Sequence, residues 1–194
     1  MSTDQVRLAR TSDVDDVARV QVAAWREAYA GLLPTPVLEA LDPEEIAFEW
    51  GRALLTATDH RLLVALDASD DLVGATAVGP STDPDLAPGA AVRWGEISLL
   101  VVDPSARGRG HGSRLLAAAV DHLRGSGADA AAMWIPLADE PMRAFLVSAG
   151  FGPDSAHRDR DTGDGVLREV RLVADISDRA DMADPEEGAD GATE

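Results

Sequence analysis

The segment from Arg107 to Gly112, which reads Arg-Gly-Arg-Gly-His-Gly, combines residue types that can bind an anion. An apolar run, 97–102, leads into it, and a helical pattern, 113–124, follows it. The first backbone N–H groups of a helix lack intrahelical partners and lie at the positive end of its dipole. Glycines let the backbone approach a ligand closely, and Arg107, Arg109 and Arg114 add positive charge. The segment therefore predicts a site for a phosphorylated ligand.

Two common phosphate-binding motifs do not fit this turn. A P-loop requires a lysine, and the chain contains none. A dinucleotide fingerprint that starts at Gly108 would need a glycine where Ser113 stands, and no later acidic residue in a strand–helix–strand unit supports it. The pattern that remains is Arg-x-x-Gly-x-Gly, at Arg107, Gly110 and Gly112.

Composition excludes several classes of protein and of site. The 194 residues suit a single domain, and the absence of cysteine removes disulfides, thiol nucleophiles and cysteine-type zinc sites. The four histidines lack metal-ligand spacing, so no metal is expected. A formal charge of −18 disfavours nucleic acid and anionic membranes. No signal peptide and no apolar run near ~18 residues are present, which predicts a cytoplasmic protein.

Apolar periodicity predicts the elements that position the turn, in the order β-α-α-β-β-β-α-β-α-β-β. This order indicates an α/β (α+β layered) fold, a mixed, mostly antiparallel sheet flanked by helices. The second helical stretch, 36–56, is expected to break near Asp42-Pro43, and 158–165 is expected to be a polar connection between the last two strands. The predicted strands are 5–9, 61–66, 72–78, 94–102, 130–136, one from Phe151, and 166–173.

The last part of the chain differs in composition from the rest. From Asp175 onward it is acidic and almost lacks large apolar residues, so it cannot bury enough surface to offset its ordering entropy. The sequence therefore predicts one domain, 1–174, followed by a disordered tail, 175–194.

In its context of strand, Val102-x-Pro104 and helix, the turn resembles the pyrophosphate-binding turn of the GNAT acetyltransferase superfamily, which holds acetyl-CoA. Segment 25–34, which reads Trp-Arg-Glu-Ala-Tyr-Ala-Gly-Leu-Leu-Pro, is similar to a segment that contributes to the acceptor side of the cleft in small bacterial members. Residues 95–102 resemble the central strand, and Phe145 with Gly150-Phe151 matches the later helix and strand.

The resemblance implies roles for particular residues. The strands that hold 99–102 and 130–136 are expected to splay, so that pantetheine amides satisfy the unpaired backbone groups. An N–H near Leu100 or Val101 would polarise the acetyl carbonyl. Trp25 and Tyr29 are expected on the acceptor side. The residues expected to bind acetyl-CoA are Leu100, Val101, Val102, Arg107, Gly108, Arg109, Gly110, His111, Gly112, Ser113 and Asp139.

Glu96 is the candidate general base. An attacking amine is mostly protonated near neutral pH, and a carboxylate on the central strand, facing the cleft, could remove that proton directly or through water. Many family members carry a glutamate at this position. The alternative is a solvated glutamate paired with Arg93 or another neighbour.

Two positions depart from the family pattern. Asp139 stands where many members carry an asparagine that contacts the cofactor arm, and a carboxylate cannot donate that hydrogen bond. Leu146 stands where many carry a tyrosine that acts as general acid for the CoA thiolate. Tyr29, the only tyrosine, is either a substitute from the other side of the cleft or a packing residue.

The sequence therefore predicts an N-acetyltransferase that moves acetyl from acetyl-CoA directly to a primary amine of a small molecule or protein. No cysteine is present to carry an acyl intermediate, and homodimers are common in the family. The alternative is an acyl-CoA-binding regulatory or interaction module with little activity. Leu146 and Asp139 favour this alternative, and Glu96 opposes it.

Overall fold

Seven strands form one sheet in the order β1-β2-β3-β4-β5-β7-β6 in the computed structural model, which describes residues 5–86, 92–162 and 165–177. All neighbouring strands are antiparallel except β4 and β5, which are parallel. The strands are β1 (Gln5–Leu8), β2 (Arg61–Leu66), β3 (Leu72–Pro80), β4 (Trp94–Val102), β5 (Ala130–Pro136), β6 (Gly152–Asp161) and β7 (Val166–Asp175). The helices are α1 (Val14–Ala28), α2 (Thr35–Glu39), α3 (Pro43–Thr56), α4 (His111–Gly125) and α5 (Glu140–Ser148).

The fold class predicted from the sequence is confirmed, and the second helical stretch is broken as expected. It forms the separate helices α2 and α3. The side chain of Asp42 accepts a hydrogen bond from the backbone N–H of Glu44 at 2.8 Å, and Pro43 occupies the first helical position. A proline cannot continue a preceding helix but suits the first turn of a new one.

Helices cover both faces of the sheet. On one face, Val17, Val20 and Ala24 of α1 pack against β2, β3 and β4. On the other face, Leu115 of α4 and Leu146 of α5 pack against β4, β5 and β7. Each helix buries one apolar stripe, so the sheet is held between two cores.

In the middle of the central strand β4, a bulge changes which face of the sheet the side chains lie on. The register between β3 and β4 shifts between Ala77 and Val78, which leaves Ser98 as an extra residue in β4. After this bulge, Leu99 packs on the α1 face and Leu100 on the α4 face. A bulge bends its strand and re-aims the side chains that follow it, and such bulges often lie beside active sites.

Strands β4 and β5 separate next to this bulge. They pair only at Trp94, Gly95 and Glu96, opposite residues 130–132. From Met133 onward β5 pairs only with β7. The splay that the family resemblance implied is therefore confirmed, and Glu96 is the last paired residue before the strands diverge.

One boundary predicted from the sequence was wrong. Residues 158–161 belong to β6 and pair with 166–169 of β7, so they are not part of a connection. Their polar composition reflects an edge strand, where charged side chains are common. At the C-terminal end of the described residues, β7 runs to Asp175 and the Ile176 side chain is only 2% exposed. Residues 178–194 of the predicted tail lie outside the described residues.

Candidate active site

The turn between β4 and α4 has the geometry of an anion cradle. Gly108 and Gly110 have positive φ angles of 73° and 82°, which side chains other than glycine rarely adopt. Gly110 is the residue immediately before α4, and Asp103 stabilises the entry into the turn by accepting a hydrogen bond from the Ser105 backbone N–H at 3.0 Å. The first N–H groups of a fifteen-residue helix thus follow a glycine-lined turn.

The glycines differ in the room around them. A Cβ atom at Gly112 would be in ordinary van der Waals contact with the Phe145 ring, at 3.7 Å, and with Val102, at 3.8 Å, whereas one at Gly108 would meet nothing within 4 Å. The backbone is therefore open to a large group at Gly108. A pyrophosphate, which the family's cosubstrate carries, fits a cradle of this kind.

Three polar side chains of the turn are buried or bonded to other protein groups and do not simply face a ligand. His111 is 2% exposed, so it offers the cradle its backbone and not its ring. Arg114 donates to the ring nitrogen Nδ1 of His111 at 3.1 Å and to the carbonyl of Arg109 at 3.2 Å. Arg107 turns towards α1, where it forms an ion pair with Glu27 at 2.8 Å.

The separation of β4 and β5 opens a cavity of about 520 Å³. Its walls come from α1, α2, β4, β5, β6 and β7, and from the residues that follow them. The glycine turn from Gly108 to Ser113 is not among the lining residues, but it directly follows the strand that forms one wall. The cavity brings together these predicted site residues: Trp25, Tyr29, Glu96, Leu100, Val101, Val102, Arg107 and Asp139.

Glu96 lies half-buried in this cavity, and its carboxylate Oε2 accepts a hydrogen bond from the Ser81 hydroxyl at 3.3 Å. Arg93 is not its partner. The Arg93 backbone N–H and side chain both donate to Asp129, at 2.9 and 3.3 Å. Of the two partners that the alternative interpretation of Glu96 allowed, Arg93 is therefore wrong, and the neighbour that the structure shows is Ser81.

A buried ion pair anchors the loop that carries Ser81. Asp83 accepts hydrogen bonds from Arg171 at 2.8 Å and from the Trp134 indole at 3.0 Å. The Asp83 and Arg171 side chains are only 8% and 7% exposed, and Asp154 supplies Arg171 with a second carboxylate at 2.8 Å. Burial alone would raise the pKa of Asp83, but hydrogen bonds from the Asp85 backbone, Arg171 and Trp134, with the Arg171 charge, hold it below its usual range.

A second cluster of charges lines the cavity from the β6–β7 side. Arg158 donates to Oε2 of Glu169 at 2.6 Å, and Arg160 donates to the same oxygen at 3.3 Å. The Arg158 guanidinium also lies over the Trp134 ring, 4.3 Å from its centroid. Glu169 is 8% exposed, so two arginines surround one buried carboxylate.

On the opposite wall, the rings of Trp25 and Tyr29 lie with their centroids 6.0 Å apart. Burial raises the pKa of the Tyr29 phenol to about 12, and the nearby carboxylates of Asp139 and Glu169 act in the same direction, against the charge of Arg160. The phenol is therefore protonated throughout the neutral range. The three charges that act on the phenol, those of Asp139, Glu169 and Arg160, show that Tyr29 faces this charged side of the cavity.

The two departures from the family pattern have clear structural roles. Leu146 is completely buried in the core on the α4 face. Asp139 precedes α5 and caps it, because its Oδ1 accepts a hydrogen bond from the Met142 backbone N–H at 3.0 Å. Helix capping thus occupies one carboxylate oxygen of Asp139.

Sequence reasoning missed part of the cavity wall and its supports: Ser81, Asp83, Trp134, Glu169 and Arg171. Arg171 and Asp83 are 88 positions apart, so spacing could not have paired them. A tryptophan in a strand of small residues, Trp134 after 130–132, was the one local signal available. Across the described residues, no group of three or more His, Asp or Glu side chains could hold a metal ion. Likewise, no helix in the described ranges is long and apolar enough to cross a membrane.

A parallel strand pair that opens beside a glycine turn at a helix start is the arrangement that the resemblance implied for an acyltransferase that holds a CoA thioester between the two strands. Residues 22–151 match the family model described as the Acetyltransferase (GNAT) family. The chain belongs to this family, and it is an N-acetyltransferase of the GNAT type.

Two curated relatives agree with this assignment. The chain is 30% identical over 159 residues to a mycothiol acetyltransferase of Nocardioides sp.. The matched region covers 79% of this chain and 50% of the relative, so the chain spans half of that protein's length. It is 26% identical over 168 residues to the uncharacterized N-acetyltransferase YuaI of Bacillus subtilis, covering 86% of this chain and 90% of the relative.

Solved structures show the same fold. The PaiA N-acetyltransferase of Thermoplasma acidophilum, in complex with coenzyme A, superposes with a TM-score of 0.67 at 16% identity, covering 89% of this chain and 99% of that one. YncA of Salmonella typhimurium, with its cofactor acetyl-CoA, gives a TM-score of 0.64 at 16% identity, covering 98% of this chain and all of the other. These likenesses show that the chain has the fold of both proteins.

Proposed function

We propose that this acetyltransferase moves the acetyl group of acetyl-CoA directly to a primary amine, with Glu96 as the general base. The observation that carries the proposal is the position of Glu96. It is the last residue that joins β4 to β5, and it lines the cavity that opens where they part. A carboxylate there can reach an amine that enters from the acceptor side.

The cosubstrate supplies an acetyl thioester, and the residues of the fork and the turn are suited to hold it. The backbone of the glycine turn, from Arg109 to Ser113, takes the pyrophosphate. The unpaired strand edges near Leu100 and Val101 take the pantetheine amides, and an N–H of this segment donates to the acetyl carbonyl oxygen. These assignments are supported by the edge of β4 that does not pair with β5 and by the open space at Gly108.

Glu96 accepts the proton that the amine loses as its nitrogen attacks the acetyl carbon. A C–N bond forms, the C–S bond breaks, and the sulfur leaves with the electron pair as a thiolate that takes up a proton. Tyr29 is a hydrogen-bond donor in this step and not the acid, because its pKa of about 12 lies above the ~8.5 of a thiol. The proton on the thiol therefore comes from Glu96 or from solvent. Leu146, buried in the core, takes no part.

The nature of the acceptor amine, a homodimer and a cytoplasmic location stay predictions from the sequence. The step described above needs no metal ion. The acetyl group passes without a covalent enzyme intermediate, in keeping with a chain that has no cysteine.

Thiol release from acetyl-CoA with a panel of primary amines tests this proposal. Glu96→Gln keeps the shape of the side chain and removes its charge, so kcat/KM should fall by ~10²–10⁴-fold while CoA affinity persists. The loss should shrink at high pH, where more of the amine is already neutral. Glu49→Gln, on an exposed residue of α3, is the matched control.

Two results would contradict the proposal. Near-wild-type kcat/KM of Glu96→Gln across the pH range would show that Glu96 is not the base. Acetyl-CoA binding without turnover of any amine would favour the acyl-CoA-binding module.

A further inference from the structure

We propose that the acceptor is a small amine that also carries an anionic group, a carboxylate or a similar oxyanion, and that Arg158 and Arg160 bind this group. The inference rests on the proposed acetyl transfer, because it assigns the far end of the same acceptor. It concerns the β6–β7 side of the cavity, away from the fork at Glu96.

Arg158 and Arg160 form the cationic part of this wall. They share a single carboxylate oxygen, Oε2 of Glu169. Glu169 is 8% exposed, so this carboxylate is buried and committed to the pair. Asp161, next to Arg160, and Asp139 also line the cavity, so the attraction for an anion is local to the two guanidinium groups and is not a net positive charge of the wall. On a chain with a formal charge of −18, an anion needs such local donors in order to bind.

Some guanidinium N–H groups of Arg158 and Arg160 donate to no acceptor among the described residues. Arg158 uses only its Nε, and Arg160 uses Nε and Nη2. Both Nη atoms of Arg158 and the Nη1 of Arg160 have no hydrogen-bond acceptor within residues 5–86, 92–162 and 165–177. Both side chains line the cavity. The planar fork of a guanidinium matches the two oxygens of a carboxylate or phosphinate, which is the geometry of the stronger charge-assisted hydrogen bonds.

Arg158 is fixed before any ligand arrives. Its guanidinium lies 4.3 Å above the Trp134 ring, and that ring is itself held by the hydrogen bond from its Nε1 to Asp83 at 3.0 Å. A cation over an indole face is attracted to it, and a preordered side chain loses less entropy when it binds. Arg171 lies 5.4 Å from the same ring but is matched by Asp83 and Asp154, so it is not available to a ligand.

Glu96 and the arginine pair lie in different parts of the cavity. Glu96 lines it at the fork, where a carboxylate suits a cationic amine. Asp139 follows the end of β5 at which Pro136 is opposite Glu169, so it belongs to the arginine side. The other charged lining residues are Asp161, next to Arg160, and Arg107, which is bonded to Glu27. The apolar side chains of Leu33, Val37, Leu38 and Leu41 also line the cavity. An amine with an apolar body and an anionic end fits this set of lining groups.

Matched pairs of amines test the inference. Each pair is an ω-amino acid and its primary amide, in which several methylene groups keep the carboxyl from changing the basicity of the amine. Two quantities are measured: binding to the protein–CoA complex by calorimetry, and kcat/KM for thiol release. The acid should exceed the amide by about tenfold or more in both, through a tighter Kd and a lower KM.

Variants of the arginines show whether this preference comes from the proposed site. Arg158→Gln and Arg160→Gln should each bring the acid-to-amide ratio down towards one, and Arg160→Lys should retain part of it. Arg168→Gln is the matched control. Arg168 lies on the same hairpin and is paired with a carboxylate, Asp159, at 2.8 Å, but it does not line the cavity. The melting temperature of each variant shows that it is folded.

The outcomes separate this inference from the proposed function. If amides are acetylated as well as acids, acetyl transfer stands and the anion site is wrong. If acids bind better than amides, and only with both arginines present, but no amine is turned over, the anion site stands and acetyl transfer is wrong. If acids show no advantage in binding, the inference is overturned whatever the turnover.

Discussion

The hydroxyl of Ser81 donates a hydrogen bond to Oε2 of Glu96 across 3.3 Å, at the point where β4 and β5 part. The backbone N–H of Asp83 donates to the same hydroxyl oxygen at 3.3 Å, so the hydroxyl proton is directed towards the carboxylate. Asp83 is in turn held by the buried guanidinium of Arg171. A buried ion pair thus supports the loop residue that orients the proposed base.

Removing this hydroxyl should weaken catalysis without weakening cosubstrate binding. In Ser81→Ala, kcat/KM should fall about threefold to tenfold, because one hydrogen bond contributes about 0.5–1.5 kcal/mol to the orientation of Glu96. CoA affinity by calorimetry should be unchanged. The control is Ser126→Ala, since that hydroxyl donates to the Leu123 carbonyl at the far end of α4. Equal losses of activity in the two variants would show that Ser81 has no special role.

A side chain at the cradle should block the cosubstrate. Gly112 has an ordinary φ, but a Cβ there would already be in van der Waals contact with Phe145, at 3.7 Å, and Val102, at 3.8 Å, so the melting temperature of Gly112→Val first shows whether the variant is folded. The added methyl groups would occupy the space over the first turn of α4, and the Kd for CoA should rise about tenfold or more. Calorimetry with CoA measures the change directly.

Gly125→Val is the matched control, because Gly125 lies at the other end of the same helix and has open space around it. Both variants carry the same β-branched residue in α4, so both have a similar helix cost. Unchanged CoA affinity in a folded Gly112→Val protein would remove the turn from the cosubstrate site.

Local patterns in the sequence were enough to predict the turn and the elements around it. The strand, the glycines and the amphipathic helix α4 are all contiguous, so their spacing carries the information. No local sequence pattern predicts the bulge at Ser98, because the bulge depends on the register of β3 against β4. The pairing of Asp83 with Arg171 joins positions 88 apart, and no periodicity reports a contact of that range.

The edge strand shows a different reason for failure. Residues 158–161 read Arg-Asp-Arg-Asp, which lacks the apolar alternation of a half-buried strand. In the fold, one face of this segment meets Glu169 and the other meets Arg168. Ion pairs replace apolar contacts on both faces, so hydrophobic patterning could not reveal the strand.

The end of the domain can be located by two truncations. A chain that ends at Ser177 should keep the melting temperature of the full protein, because it retains every contact described for β7. A chain that ends at Ala174 should melt several degrees lower, because it loses the buried side chain of Ile176 and the hydrogen bond from Arg124 to the Ile176 carbonyl at 2.6 Å. Loss of a buried isoleucine side chain costs about 2–5 kcal/mol.

Thermal unfolding of the two truncated proteins beside the full chain measures this difference. If the chain that ends at Ser177 also melts several degrees lower, the acidic residues 178–194 contribute to the fold. Equal melting temperatures for all three proteins would show that Ile176 contributes little.

The ionisation of Tyr29 can be observed alone, because it is the only tyrosine in the chain. In the folded protein the phenolate absorption band should appear with a midpoint near pH 12, since burial and the carboxylates of Asp139 and Glu169 raise the pKa of the phenol to about 12. In denaturant the midpoint should return to about 10. Tyr29→Phe should show no such transition in either state.

The same shift has a consequence for stability. The folded pKa lies above the unfolded one, so the protonated phenol stabilises the fold fully below about pH 10, and this contribution is lost as the pH rises towards 12. The free energy of unfolding of the wild type should therefore fall between these pH values more steeply than that of Tyr29→Phe. Denaturant unfolding at a series of alkaline pH values measures the two slopes. A phenolate midpoint near 10 in the folded protein would show that Tyr29 is open to water, and would remove the reason for treating it as a protonated donor towards the thiolate.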